Sequence, residues 1–204
     1  MTREEILLTY CNLYEPKLLL TIDDFISVNH YLAYRSLIKN GKPMAMSYKT
    51  KEAKDFQKKF TEYVIEQVAL SEWEMSDNPY QHYYVDTVFY FPRTDMDCNN
   101  YWKVGFDAIT DSGCVWLDDN MACERVMGVY YNNKNPRIEY VIHPTDFYGI
   151  WGKVDRYNDF IVKNCLECNK TIGNCAVLRK AREGRIQDGV TEYKCQHIKV
   201  RGQK

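Results

Sequence analysis

Residues 97–119 read DCNNYWKVGFDAITDSGCVWLDD. The interpretation of fold and function starts from this stretch, which contains one predicted helix with acidic side chains before and after it. The residues before it, Tyr83–Phe91, are rich in β-branched and aromatic side chains, which predicts a strand. An apolar stripe predicts that the helix runs from about Asn99 to Thr110. We expect Asp118 and Asp119 to return to the end of the sheet where this helix starts.

Hard oxygen donors gather in this stretch and suit a divalent metal. Mg²⁺ and Mn²⁺ prefer carboxylate and amide oxygens, and such an ion can activate water and neutralise charge during phosphodiester hydrolysis. Lys103 lies one helical turn after Asn99, so its ammonium is expected to face the same space. Helix capping by the same residues is the alternative explanation. The candidate metal ligands are Asp95, Asp97, Asn99, Asp118 and Asp119.

A longer motif runs through these residues. It reads Asp97-Cys-Asn99-Asn100-Tyr-Trp-Lys103-Val-Gly-Phe106-Asp107-Ala108-Ile, followed by Gly113 and Trp116-Leu117-Asp118-Asp119. This motif resembles, without gaps, the active-site core of the RusA family of Holliday-junction resolvases. That core typically reads Asp-x-Asp-Asn-x-x-Lys, then Phe or Leu followed by Asp-Ala-Leu, then a Gly and Leu-Asp-Asp. A weaker similarity to the family's N-terminal loop runs from Ile26 to Tyr31.

The resemblance assigns roles by position. Asp97 is similar to the family's first metal-binding Asp, Lys103 to its catalytic Lys and Asp119 to its last essential Asp. Asn99 departs from the pattern, because it stands where the family usually has its second Asp and it brings no charge. Its amide oxygen can still bind metal, and Asp95 is a candidate to replace the missing carboxylate. The resemblance thus implies the catalytic residues Asp97, Asn99, Lys103 and Asp119.

The resemblance also implies an architecture and an activity. The fold is expected to be α/β of the α+β kind, a mixed sheet packed by two main helices, over about residues 17–143. The activity is Mg²⁺- or Mn²⁺-dependent cleavage of four-way junctions or other branched DNA by a homodimer with two active sites. The alternative is a junction-binding protein of the same fold that the change at Asn99 has left inactive. Such proteins often travel on phage or prophage genomes, so a similar origin is expected here.

The net charge of −1 hides an uneven distribution along the chain. Residues 61–150 carry 15 acidic against 5 basic side chains, whereas residues 1–60 and 151–204 have net charges of +3 and +6. One explanation is that the acidic central residues bind a metal ion while the basic residues on either side bind phosphates. Ordinary charge on the protein surface explains the distribution equally well. A polar and basic loop is predicted over 27–41. The candidate DNA contacts are Asn29, Tyr31, Arg35, Lys39, Lys42, Lys49 and Lys51, with Tyr31 and Tyr34 available for stacking on bases.

Periodicity and turn residues predict the remaining secondary structure. Apolar residues at three- and four-residue steps predict a long helix over about Thr50–Leu70. Short apolar runs predict strands at Lys17–Ile22 and Pro43–Tyr48. An Asn- and Pro-containing turn predicts that Val126–Tyr131 and Arg137–His143 pair as an antiparallel hairpin. Shorter helices are predicted at about Thr2–Leu13, Tyr157–Lys163 and Cys175–Gln187.

Four of the eight cysteines cluster in the last third of the chain. Cys165 and Cys168 form a C-x-x-C pair, and Cys175 and Cys195 complete a set of four thiolates that suits tetrahedral Zn²⁺. His197 is an alternative fourth ligand, while an iron–sulfur cluster and simple packing are alternatives to zinc. Disulfides are not expected in a reducing compartment. The scattered cysteines, which are expected to pack in the interior, are Cys11, Cys98, Cys114 and Cys123.

Length predicts one main domain with an appendage. We expect a nuclease domain over residues 1–150 and a four-cysteine zinc module over residues 151–204, whose basic helix could dock DNA or a partner. No run of about 18 apolar residues could span a membrane, and MTREEILLTY lacks the order of a signal peptide, so a cytoplasmic location is expected. A zinc-stabilised interaction module with no role on DNA is a third hypothesis, which leaves the acidic motif unexplained.

Overall fold

The computed structural model describes residues 16–199, which form two compact units. Unit 1 contains the described residues up to Asp77 together with Tyr83–Pro144. Unit 2 contains Asn78–His82 and the residues from Thr145 onward. In chain order, the strands are β1 (Leu18–Ile22), β2 (Leu32–Lys39), β3 (Lys42–Lys49), β4 (Tyr83–Phe91), β5 (Ala122–Tyr131) and β6 (Arg137–Pro144).

Unit 1 is built on a mixed sheet of four strands in the order β1-β6-β4-β5. Strand β4 pairs antiparallel with β6 and parallel with β5, and β6 also pairs antiparallel with β1. Strand β4 has the bounds that its β-branched and aromatic composition predicted. In chain order, the α-helices of the described residues are α1 (Val28–Tyr31), α2 (Lys51–Leu70), α3 (Trp102–Asp111), α4 (Val154–Asn164) and α5 (Ala176–Arg182).

Helices α2 and α3 pack on one face of this sheet. Helix α2 begins where Thr50 accepts a hydrogen bond from the backbone N–H of Ala53, at 3.1 Å, which satisfies one of the open N–H groups of the first turn. Its predicted apolar stripe is buried in a core shared with α3 and with the sheet. The predicted fold class, a mixed sheet packed by two main helices, is therefore confirmed.

A close approach between α3 and β6 fixes the position of α3. Gly105 of α3 lies against Tyr140 of β6, and a Cβ at Gly105 would stand 2.8 Å from the tyrosine hydroxyl oxygen. Phe106 and Ile109 of the same helix are buried in the shared core. Because a packed core resists small displacements, this contact also fixes the first turn of α3, which carries Lys103.

Strands β2 and β3 form a separate two-stranded antiparallel hairpin, called the arm below. The prediction of a loop over 27–41 is wrong, because these residues form α1 and β2. The error arose because β2 is exposed along most of its length, so it shows no alternation of buried and exposed residues. The strand predicted at Pro43–Tyr48 is present as β3.

The hairpin predicted between Val126–Tyr131 and Arg137–His143 is also wrong. Both strands exist, but β4 lies between them and pairs with each. The parallel pairing of β4 with β5 joins strands that are far apart in sequence, with α3 in the connection, as parallel strands require. The turn residues between β5 and β6 correctly predicted a turn, but they did not predict that each strand pairs with β4 rather than with the other.

Unit 2 is small and mainly helical. Trp151, Phe160 and Leu178 form the centre of its core. Helix α4 is longer than the predicted Tyr157–Lys163, and α5 ends before the predicted Gln187. The helix predicted at Thr2–Leu13 and the packing of Cys11 lie outside the described residues. None of the helices in residues 16–199 is long and apolar enough to cross a membrane.

Candidate active site

The centre of the candidate site is Lys103, in the first turn of α3. Its Nζ lies 2.6 Å from Asp107 Oδ1, one turn later in the same helix, and 2.9 Å from Asp119 Oδ2. Asp119 begins a 3-10 helix, Asp119–Met121, that follows the return of the chain from the end of α3. The hydrogen bonds to Asp107 and Asp119 raise the pKa of Lys103, so the ammonium stays charged at neutral pH.

Asp97 is the N-cap of the short 3-10 helix Cys98–Asn100, which contains Asn99 and precedes α3. Asp97 Oδ1 accepts hydrogen bonds from the backbone N–H of Asn99 and from its side-chain Nδ2, both at 3.0 Å. Both side chains are exposed. The capping role considered from the sequence is therefore present at Asp97, and its carboxylate also stays accessible from solvent.

Asp95 and Asp118, the other two candidate ligands, have local partners. Asp95 Oδ1 lies 3.2 Å from Arg93 Nε, and both side chains are 70% exposed. Asp118 accepts a hydrogen bond from the backbone N–H of Asn120 at 3.0 Å and so caps the 3-10 helix that contains Asp119. An exposed pair such as Arg93–Asp95 contributes little stability, about 0–1 kcal/mol, and its carboxylate can change partners at small cost.

The donor set fits a hard divalent cation by its chemistry, because Asp97, Asn99 and Asp119 offer carboxylate and amide oxygens. Within residues 16–199, no three His, Cys, Asp or Glu side chains are gathered as a ready metal site. Asp119 is instead held by Lys103, and Asp97 by the turn that it caps. A metal ion bound at this site would share these carboxylates with Lys103 and with the turn, since each carboxylate has two oxygens that can accept.

Asp107 connects the lysine to the base of the arm, and sequence reasoning assigned it no role. Its Oδ2 accepts a hydrogen bond from the hydroxyl of Tyr31. The Nζ of Lys49 lies 3.9 Å from the same oxygen and donates to Gln57 Oε1 at 2.8 Å. The sequence signals for Asp107 were its place in the family-like motif, before Ala108, and its spacing of four residues from Lys103, which places the two side chains on one helix face.

Burial changes the interpretation of Tyr31. Its side chain is 7% exposed, so its ring is not available for stacking on a base, and that part of the sequence prediction is corrected. Burial, together with the hydrogen bond to Asp107, raises the pKa of Tyr31, which keeps its hydroxyl protonated as a donor. Tyr34, at 72% exposed, remains available for stacking.

The arm carries most of the other predicted DNA contacts. Between Leu32 and Lys49 the sequence contains four basic residues and no acidic residue. Arg35, Lys39 and Lys42 are exposed. Before and after the arm, Asn29 and Lys51 are exposed too, whereas Lys49 is half-buried beside Asp107 and Gln57. The structure thus brings most of the predicted cations together on one hairpin and its borders.

The four clustered cysteines meet in unit 2, around one cavity of about 20 Å³. This volume holds about one water-sized particle. Cys165 ends α4, Cys175 precedes α5, and the backbone N–H of Cys195 donates to Asn164 Oδ1 at 3.0 Å. Cys168 completes the set, and His197 lines the same cavity while its ring contacts the carbonyl oxygen of Asp188 at 2.9 Å.

The environment of these thiols is uneven. Burial first, and then the nearby thiols of the other three cysteines, raise the pKa of Cys165 to about 11. Hydrogen bonds from the backbone N–H groups of Lys199 and Lys170 lower the pKa of Cys168. Backbone N–H donors around a thiol stabilise the thiolate, which is the form that binds metal. All four thiols are free rather than in disulfides.

A lysine held between carboxylates at the start of a helix offers the fixed positive charge and the oxygen donors that metal-dependent hydrolysis of a phosphodiester uses. A family model described as endodeoxyribonuclease RusA matches residues 29–143, more than half of the chain. The chain therefore belongs to the RusA family, and the resemblance found at residues 97–119 is confirmed. Proteins of this family are endodeoxyribonucleases that act on branched DNA junctions and in general depend on a divalent metal. No curated protein matches the chain.

Proposed function

We propose that this chain is a Mg²⁺- or Mn²⁺-dependent endodeoxyribonuclease that resolves Holliday junctions and other branched DNA. The observation that carries the proposal is the position of Lys103 between Asp107 and Asp119, one turn after the segment that carries Asp97 and Asn99, within the residues that the family model matches. We propose that the nuclease domain covers residues 1–150, the bounds predicted from the sequence, although the compact unit that carries the site ends at Pro144 and leaves out Asn78–His82.

The proposed roles follow from charge and position. Asp97, Asn99 and Asp119 hold the metal ion, and Asp95 or Asp118 is a further ligand. A bound ion of this kind activates water and neutralises charge on the phosphate. Lys103 contributes a fixed positive charge that stabilises the charge developing on the scissile phosphate.

The arm supplies the proposed DNA contact. Arg35, Lys39 and Lys42 bind phosphates, and the exposed ring of Tyr34 stacks on an unpaired base near the branch point. Asn29, Lys49 and Lys51 extend this surface toward the base of the arm. Cleavage of both strands of a junction requires two active sites, so the proposed active form is a homodimer.

The alternative is a protein that binds junctions without cutting them. Its motivation is Asn99, which removes one negative charge from the ligand set and whose Nδ2 is already bonded to Asp97. If the protein binds metal too weakly for catalysis, the arm still recognises the junction but the DNA is not cut.

A synthetic four-way junction separates the two candidates. The purified protein is incubated with the labelled junction in Mg²⁺, in Mn²⁺ and in EDTA, beside an Asp119→Asn variant as the control. We expect nicks that need both the metal and Asp119. Binding without metal-dependent nicking refutes the nuclease and favours the alternative. Light scattering under assay conditions tests the dimer, and a monomer contradicts paired cleavage.

We also propose that residues 151–204 form a module held by structural Zn²⁺ on Cys165, Cys168, Cys175 and Cys195. The support is that all four thiols line one small cavity and that backbone N–H groups already donate to Cys168. As placed, the thiols do not form a ready metal site, so zinc has to draw them closer together. A small hydrophobic core such as that of unit 2 benefits from this kind of stabilisation.

Metal analysis tests the zinc proposal. The folded, reduced protein is expected to contain about one zinc per chain, and Cys168→Ser is expected to lose it. Cys123→Ser, which changes a cysteine of β5, serves as the matched control and keeps the zinc. A strong chelator is expected to lower the melting temperature, because zinc binding contributes to folding. Iron in place of zinc supports a cluster, and the absence of both metals refutes the metal assignment.

A further inference from the structure

The two carboxylates that contact Lys103, those of Asp107 and Asp119, differ in their exposure to solvent. The side chain of Asp119 is 33% exposed and that of Asp107 is 17% exposed. Under the proposed function Asp119 also binds the metal ion, which draws on the negative charge of this carboxylate and weakens its hold on the lysine during the reaction. Asp107, which lies 2.6 Å from the lysine Nζ, is then the carboxylate that keeps Lys103 in place.

Asp107 is fixed by a second contact that comes from the base of the arm. Its Oδ1 faces Lys103, while its Oδ2 accepts the hydrogen bond from the buried hydroxyl of Tyr31, which lies 76 residues earlier in the chain. Tyr31 directly precedes the arm, and its carbonyl oxygen accepts from the backbone N–H of Thr50, which directly follows the arm, at 3.0 Å. One carboxylate thus joins the lysine to the point where the arm leaves the core.

We propose that Asp107 is a positioning residue, which holds Lys103 for the scissile phosphate and ties it, through Tyr31, to the base of the DNA-binding arm. This inference rests on the proposed function. A free lysine side chain loses much rotamer freedom when it is fixed, and an ion pair formed in advance removes that cost from the reaction step. Lys49 is not the support for Asp107, because it stands 3.9 Å away and Gln57 accepts from its Nζ.

The variants are chosen to remove one contact at a time. Asp107→Asn keeps the size of the side chain and removes its charge, and Tyr31→Phe removes only the hydroxyl. The matched control is Asp111→Asn, in the same helix one turn later, because Asp111 Oδ2 accepts from Gln57 Nε2 at 2.5 Å. All four proteins are assayed in single-turnover nicking of the junction, with saturating protein and metal.

We expect Asp107→Asn to lower the nicking rate roughly 10- to 100-fold, as the loss of a charged hydrogen bond does. Tyr31→Phe is expected to lower it roughly three- to ten-fold, and Asp111→Asn to leave it unchanged. The dissociation constant for the junction and the half-saturating metal concentration stay within about two-fold in all three variants, because the inference gives Asp107 and Tyr31 a positioning role and no contact with DNA or metal. A purely structural role would instead change melting temperature and all constants together.

A second measurement is independent of nicking. The rate at which acetic anhydride modifies Lys103 is followed by mass spectrometry. It is expected to rise roughly three- to ten-fold in Asp107→Asn and to stay unchanged in Asp111→Asn, because loss of the ion pair frees the amine. If the modification rate of Lys103 rises in Asp107→Asn but the wild-type protein does not nick the junction, the anchoring of Lys103 is supported and the proposed function is refuted. Equal nicking by wild type and Asp107→Asn, or no change in modification, overturns the inference and leaves the proposed function standing.

Discussion

Replacement of Lys103 by Met is expected to slow nicking of a four-way junction by roughly 10²–10³-fold, which is the usual loss when one preorganised electrostatic group is removed from an active site. Met retains the length of the apolar stem and removes the ammonium. Because the hydrogen bond to Asp107 raises the pKa of Lys103 above its ordinary value, the wild-type ammonium stays charged across the neutral range. The expected loss is therefore the same at pH 7 and pH 8.

The control for this prediction is Lys58→Met. Lys58 lies on α2 and pairs with Glu62 one turn later, at 4.0 Å, so the substitution removes the same charge from a similar helical pair. Single-turnover nicking rates and junction affinities are measured for both variants. Nicking by Lys103→Met at the wild-type rate contradicts the assigned role. If Lys103→Met loses both nicking and junction binding and melts at a lower temperature, the substitution has damaged the fold. Lys103→Arg, which keeps the positive charge, then tests the role of that charge.

The parts of the fold that were predictable are those whose pattern is local. Helix α2 buries a regular stripe, so its periodicity survives in the sequence, and Thr50 marks its start. Strand β4 is buried along nearly its whole length, which gives the continuous β-branched and aromatic run that was recognised. In both elements, local propensity and tertiary burial favour the same structure.

Pairing and exposure were not predictable for the opposite reason. The partner of β5 is decided by the position of β4, some forty residues earlier, and no local turn encodes it. Strand β2 exposes most of its side chains, so its sequence has no buried face to reveal. A two-stranded hairpin is marginally stable alone in water, which makes the arm consistent with an element that functions against a partner such as DNA.

The candidate site was predictable in its residues and not in its contacts. Spacing placed Lys103 and Asp119 near one another, and the structure joins them at 2.9 Å. The contact between Tyr31 and Asp107 links residues 76 positions apart, and an exposed, stacking tyrosine was the simpler expectation. Only the tertiary structure shows that this tyrosine is buried, because a Tyr side chain suits an interface and a core equally well.

Replacement of Asn99 by Asp is expected to lower the half-saturating Mg²⁺ concentration for nicking by roughly 10- to 100-fold, the range by which single groups around a metal usually change its affinity. The new carboxylate supplies the charge that the ligand set lacks. It also loses the hydrogen bond that Asn99 Nδ2 donates to Asp97 Oδ1 at 3.0 Å and places two carboxylates together. Without metal these repel, so the metal-free variant is expected to melt at a slightly lower temperature than wild type.

Asn100→Asp is the matched control, because it adds the same charge at the next residue of the same 3-10 helix without entering the proposed ligand set. Rates are measured across a Mg²⁺ titration, and metal affinity is measured separately by calorimetry. Equal shifts in both variants indicate a general effect of negative charge, and no shift in Asn99→Asp removes Asn99 from the metal site. A third outcome is that wild type binds junctions without cutting them and Asn99→Asp cuts them. The added carboxylate then restores the metal site, and the wild-type chain is the junction-binding protein of the alternative proposal.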